Sequence, residues 1–295
     1  MATLKELKGR IGSVASSEKI TGAMKMISSA KMHKAEGALK RLVPFRNQIQ
    51  SIIANLLTAD TVFTSPLIEA RQVRHLTVVA LGSDDGLCGA YNVNLAKYVQ
   101  EYLNGLFDSQ PELTAVTLIP VGKKMAKALR RIQDSRVSLD TASDMVNSKA
   151  EGEAVKTFTD ALKDKFISGD TDCVQVAYMH YFSAGRQRPQ CDRLMPLEPS
   201  ALAAGAEQAT GRPYLFEPSA QDVFAAVIPM FMLSMMQEIF GQNRASEQAA
   251  RVMAMQSASD NAKKLLESLQ LEFNKLRQQS ITTELLDIVG GQARD

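Results

Sequence analysis

Apolar residues recur every three or four positions at the start of the chain: Leu4, Leu7, Ile11 and Val14, then Ile20, Met24 and Ile27, then Ala35, Ala38 and Leu42. That spacing predicts one long helix. Thr3 and Glu6 make a T-x-x-E capping box at its start, which satisfies two orphan amide donors. Only Pro44 interrupts before helical pattern resumes in FRNQIQSIIANLL. Gly9, Gly12, Gly22 and Gly37 lie inside it, each costing up to ~1 kcal/mol relative to Ala, so this helix needs a partner.

From about Arg74 to Pro218 the period changes. Short β-rich runs (HLTVVAL, TAVTLIPV, DCVQVAYMHYFS) alternate with helical stretches (NVNLAKYVQEYLNGL, GKKMAKALRRIQ, GEAVKTFTDALKDKF). Alternation of this kind predicts an α/β domain with a largely parallel sheet. QVAYMHYF and QCDRLMPLE have no helix between them, which predicts an antiparallel edge. The SALAAGAEQATGRP segment that follows reads as an exposed loop.

Ser219 and Asp222 then make a second capping pattern, and only Pro229 and Gly241 break a helical composition that runs to Ile288. Gly290 and Gly291 supply a stop. At 1.5 Å per residue such a helix is roughly 100 Å long, against ~40 Å for the α/β domain, so most of it is expected to project. Its expected seam is Ala258, Ala262, Leu265, Leu269, Phe273 and Leu276, then Ile281, Leu285 and Ile288. The residues between are small, polar and sparsely charged, unlike the Glu/Lys flanks of an ordinary coiled coil. The pattern predicts a Rossmann-like α/β base plus a long antiparallel two-helix coiled coil. It divides the chain into a helix over 1–58, a base over 74–218, and a helix over 219–290 whose Met-rich start, IPMFMLSMMQEIF, packs on the sheet.

Charge adds one feature. The net charge is only +2, which excludes a polycationic nucleic-acid binder. Residues 1–46 nevertheless hold ten Lys or Arg against three Glu, which predicts an acidic partner surface. Cys88, Cys173 and Cys191 form no C-x-x-C pair, a pattern that suits a reducing compartment. The N-terminus lacks a signal-peptide core. The longest apolar stretch, Val223 to Met236, is 14 residues where a spanning helix needs ~20, so no membrane crossing is expected.

The first β-rich run ends in GSDDGLCGAYN, Gly82 to Asn92, which looks like a phosphate-binding loop. Its glycines are spaced G-x-x-x-G-x-x-G, not G-x-G-x-x-G, and Gly89 is followed by Ala90 and Tyr91 where a P-loop needs G-K-[ST]. Asp84 and Asp85 would repel phosphate oxygens, and the third oxygen ligand for Mg²⁺ is not identifiable. A tight βα turn through Gly86 and Gly89 fits better. Cys88 has no histidine partner among His33, His75 and His180 that the sequence reveals, and reads as an inert thiol. No catalytic, cofactor or metal site is expected.

Three motifs carry a resemblance. LKGRIGSVASSEKITGAMKMISSAKMHKA, SDDGLCGAYN, and NRASEQAARVMAMQSASDNA with LQLEFNKLRQQSITTELLDIVGG resemble the gamma subunit of F-type ATP synthases, the central-stalk rotor. The resemblance implies a non-catalytic shaft whose rotation couples proton flow to ATP synthesis. It implies as partners the alpha and beta subunits of the hexamer, the epsilon subunit and the membrane ring of c subunits, on the cytoplasmic face of a bacterial inner membrane. On this basis Met24 and Lys25 match positions facing acidic lever segments of the beta subunits. Arg251, Gln278, Thr282 and Glu284 match polar hexamer contacts. Asp85 departs from the family's usual Arg or Lys, so a contact there is expected to be lost or reversed, and Gln292 replaces the usual Ala. The chloroplast form's regulatory cysteine pair is absent. The competing reading is a nucleotide-binding α/β protein with a helical dimerisation arm.

Overall fold

A computed structural model describes residues 3–57, 63–140, 146–198, 202 and 216–292. The chain forms two compact units, residues 30–250 and residues 1–29 with 251–295. Two long helices contribute to both: α1, Leu4–Leu57, and the C-terminal helix α5, Ala220–Gln292. Both sequence-read caps are present. The Thr3 amide donates to Glu6 Oε2 at 2.8 Å and the Glu6 amide to Thr3 Oγ1 at 3.3 Å. At α5 the Asp222 amide donates to Ser219 Oγ at 3.1 Å.

In the 30–250 unit the elements between them are β1 (His75–Leu81), α2 (Tyr91–Ser109), β2 (Ala115–Val121), α3 (Lys123–Leu129), β3 (Val137–Leu139), α4 (Glu153–Ser168), β4 (Cys173–Ser183) and β5 (Arg186–Met195). The sheet order is β3-β2-β1-β4-β5. β1 pairs parallel with β2 and β4, β3 pairs parallel with β2, and β5 is antiparallel to β4. The antiparallel edge is therefore where the missing helix placed it. β3 escapes sequence reading because three residues give no period.

Alternate residues of β1 feed two cores, as the pleat requires. Leu76, Val78 and Ala80 pack with α2 and α3 through Leu95, Val99, Leu103, Met125 and Leu129. Val79 and Leu81 face the other layer, built from α4, the 30–57 part of α1 and the start of α5. There Phe224, Ile228, Phe231, Met232, Met236, Ile239 and Phe240 are all buried, as expected of the Met-rich root. One 18-residue window of α5 reaches a mean hydropathy of 1.7, enough for a membrane span by composition, but half of it is buried inside the protein. Its apolar character is used by the sheet. The expected loop over 200–213 lies outside the described residues except for Leu202, which is buried in this core.

The second unit pairs the two chain ends antiparallel. Glu18 faces Lys263 at 3.9 Å, while Glu6, Gly9 and Arg10 share a groove of about 850 Å³ with Leu269 and Glu272. Its seam departs from the one the apolar residues suggest. Buried and half-buried positions include Ser259, Leu266 and Phe273, with Ala262, Leu269 and Leu276 between them, two strict seven-residue series. Leu265 is instead 51% exposed, and Ile281 and Leu285 are exposed too; the Ile288 side chain is not described. Of the adjacent pair Leu265–Leu266, only Leu266 keeps the repeat that holds a coiled-coil seam against its partner. On α1 the same repeat runs Leu4, Leu7, Ile11, Val14, then Glu18, Thr21, Lys25 and Ser28. Ile20 and Ile27, expected in the seam, are 60% and 56% exposed.

Phe224 is fully buried and stacks on Phe63 with ring centroids 4.6 Å apart. Replacing it with Ala is expected to destabilise the protein by about 3–5 kcal/mol. Urea unfolding followed by circular dichroism measures this, and a loss under about 1 kcal/mol would contradict a close-packed root for α5.

Candidate functional site

Two sets of residues were singled out by the sequence, and each lies within one unit. The first is the Gly82–Asn92 loop. It leaves the C-terminal end of β1, and the chain runs from β1 to β2 on one side and returns through β4 on the other. That reversal is the switch point at which open α/β sheets hold ligands. Here the protein's own C-terminal helix fills it. Asn243 Nδ2 of α5 donates to the Gly82 carbonyl at 3.1 Å, and the Tyr91 hydroxyl donates to Asn243 Oδ1 at 2.6 Å. Ser246, one turn further along α5, donates to the carbonyl of Met179 near the end of β4 at 2.8 Å. Asn243 is 1% exposed and Ser246 fully buried.

Three amides at the start of the loop are already engaged. Gly82 N donates to the Val121 carbonyl at 2.9 Å, Ser83 N to Asn92 Oδ1 at 3.0 Å, and Asp84 N to Ser148 Oγ at 3.2 Å. Gly82 allows this close approach: a Cβ there would sit 2.5 Å from Met125 Cβ and 2.7 Å from Asn92 Oδ1. Gly89 takes a left-handed φ of 59°, as a turn glycine does, but the other left-handed residue is Leu87 at 66°, not Gly86.

The two acids divide. Asp84 is a clasp, accepting from Ser148 N at 3.0 Å, Ser148 Oγ at 2.8 Å and Lys123 N at 3.1 Å. Burial pushes its carboxyl up, but these bonds outweigh burial and hold it below the usual aspartate value. Its oxygens therefore serve the fold. Asp85 pairs with Lys149 at 2.8 Å, both side chains about 60% exposed. The hydrogen bond to Asp85 raises the Lys149 amine. An exposed pair of this kind contributes ~0–1 kcal/mol. No group of three or more His, Cys, Asp or Glu side chains fit for a metal exists among the described residues.

Cys88 is 3% exposed, 3.7 Å from Ser83 Oγ and 3.5 Å from Asn92 Nδ2. Burial pushes the thiols of Cys173 and Cys191 up to about 11 and about 12, so both stay protonated and unreactive near neutral pH.

The second set lies in the two-helix unit. Met24 and Lys25 are half-buried, Arg251 is buried, and Gln278, Thr282 and Glu284 are exposed. Thr282 bonds back to the Gln278 carbonyl at 2.9 Å, placing these two on one face of α5. Around them stand exposed apolar side chains: Ile20, Met26, Ile27, Met253, Leu265, Leu271, Ile281, Leu285 and Leu286 are each about half exposed or more. Sequence reading placed several of these inside the seam, and missed Asn243, Tyr91 and Ser246 altogether. Asn243 and Ser246 lie far from the loop in sequence, which hides the contact and with it the role of Tyr91.

A family model described as ATP synthase matches residues 3–293. The ATP synthase gamma chain of Bacteroides thetaiotaomicron is 37% identical, with 99% of each chain covered. That of Polynucleobacter asymbioticus is 33% identical over 293 residues, with the same coverage. In fold the chain is similar to one from the Euglena gracilis mitochondrial ATP synthase (OSCP/F1/c-ring), with TM-score 0.65 and 20% identity, covering 98% of this chain and 93% of that one. A chain of the Tetrahymena thermophila mitochondrial ATP synthase central stalk and c-ring gives TM-score 0.57 and 23% identity, covering 81% and 99%. A two-helix unit with an apolar exterior, a sheet whose ligand crevice is closed by its own helix, and relatives aligned end to end agree: the chain belongs to the ATP synthase gamma chain family.

Proposed function

We propose that this chain is the central rotor shaft of a proton-translocating F-type ATP synthase, a non-catalytic subunit that couples proton flow through the membrane sector to ATP synthesis in the alpha/beta hexamer. The observation that carries this reading is the exterior of the two-helix unit. Nine large apolar side chains point away from the seam, far more than isolated surface leucines would explain. They need a surrounding sleeve, and few charged pairs on the same surface leave it free to turn within one. Polar groups set the angular contacts: Met24 and Lys25 against acidic lever segments of the beta subunits, and Arg251, Gln278, Thr282 and Glu284 against the hexamer. The base meets the epsilon subunit and the c-subunit ring, at the cytoplasmic face of a bacterial inner membrane.

In this reading the Gly82–Asn92 loop joins β1, α3 and α5 and holds no nucleotide. The competing nucleotide-binding reading needs an open crevice and free loop amides; Asn243 occupies the crevice at the Gly82 carbonyl, and Ser148 takes the Asp84 amide.

Co-expression with the cognate alpha and beta subunits tests the shaft. The tagged chain is expected to purify with both, and recovery only as a self-associated chain would contradict the reading. Deleting residues 278–295 is expected to weaken that capture while the strand signal in circular dichroism persists; loss of the strand signal would contradict the independence of the two units. For the loop, Gly82→Ala is expected to lower stability by about 1–3 kcal/mol. Calorimetry on the unmodified chain alone is expected to show no micromolar ATP binding, and such binding would overturn the structural role of the loop.

A further inference from the structure

Within the 30–250 unit, α1 and α5 meet through small apolar groups. Ala35, Leu39 and Ala245 form a buried cluster, and a Cβ on Gly241 would come within 2.8 Å of Leu39 Cδ2. Such a seam sets the spacing of two helices well. Leu39 opposite Gly241 favours one register by shape, because a slip of one turn would put a side chain where a glycine now sits, and no charge adds to that preference here.

Further along the same pair the contact changes character. Arg46 Nη1 of α1 lies 3.1 Å from Glu238 Oε2 of α5; the Glu238 side chain is only 8% exposed and that of Arg46 33%. Gln242, one turn on, donates Nε2 to Glu238 Oε1 at 2.9 Å. The Arg46 fork also donates Nη2 to Asn47 Oδ1 at 3.3 Å. Glu238 Oε2 meets Arg46 as an ion pair without hydrogen-bond geometry, and Arg46 Nε, Gln242 Oε1 and His180 Nδ1 of β4 are likewise buried without hydrogen-bond partners. Burial lowers the His180 imidazole below its usual value, which keeps it neutral beside this pair near neutral pH.

An ion pair with one partner buried, as here, contributes little to stability over an apolar replacement, and the best-attested use of such pairs is to fix register. Here it is a charged contact in a helix–helix region otherwise packed by apolar groups, and it joins the two helices that also build the two-helix unit. We propose that Arg46 and Glu238 are a register lock of the rotor: a pair of positioning residues that keeps α1 and α5 from slipping past one another under torque. Without the pair the helices pack but yield, and torque is lost before it reaches the catalytic sites. The proposal rests on the shaft reading above.

The test uses the assembled complex with its cognate subunits in membrane vesicles. Glu238→Gln keeps the shape and removes the charge; Arg46→Met with Glu238→Leu replaces the pair by apolar groups of similar volume. Both are expected to assemble and to hydrolyse ATP at near the unmodified rate, while protons pumped per ATP hydrolysed fall at least twofold. Either variant assembling with an unchanged ratio overturns the lock. Failure of both to assemble also overturns it, since the pair would then be needed simply to build the fold. Failure of the unmodified chain to assemble would instead bring down the shaft reading.

Discussion

Two helices packed along one seam can hide only one stripe each, and the rest of this chain is arranged around that limit. In the unit built from residues 1–29 and 251–295 the seven-residue repeat places Leu7, Leu269 and Phe273 inside. The same repeat places Glu18, Thr21, Lys25 and Ser28 there too, so apolar neighbours such as Ile20 and Ile27 are turned outward. A free-standing coiled coil would keep such isoleucines in the seam and leave its outside to polar and charged residues. An exterior that carries large apolar side chains among its charges is costly for an isolated protein and sensible for one enclosed by other chains.

The α/β base follows a different constraint. Its topology creates a crevice at the ends of β1 and β4, where a dinucleotide fold would open. The root of α5 closes it with Asn243 and Ser246, and Asp84 fastens the adjoining loop to α3 and to Ser148. The same architecture thus serves as a seat for a helix. Asp85, an acid where relatives were expected to carry a base, finds its cation within the chain at Lys149.

Much of this was legible in the sequence. Period two against period three-to-four located β1, β2, β4 and all five helices, and the missing helix between β4 and β5 gave the antiparallel edge. The Thr3–Glu6 capping box formed with both arms, and Ser219 caps α5 through the Asp222 amide. The loop's departure from a phosphate-binding pattern was readable from Ala90 and Tyr91, which stand where a phosphate loop needs its lysine and hydroxyl. What was not readable depended on distant partners or on register. Asn243 and Tyr91 meet across 152 residues, and β3 is too short to show a period. The seam was misplaced at Leu265, Ile20 and Ile27 because apolar residues mark an interior only when the protein is its own environment. On a surface built for a partner the same residues mark the outside.

Rotation inside a sleeve is the central claim, and direct observation of it is the most searching measurement. Val93 in the base is 62% exposed, and Val93→Cys would give a surface thiol beside two buried cysteines and one half-buried. With the alpha/beta hexamer fixed to a surface and a bead on that thiol, ATP is expected to drive one-way rotation with three equal dwell positions per turn. Normal ATP hydrolysis with a stationary or randomly fluctuating bead would contradict the account.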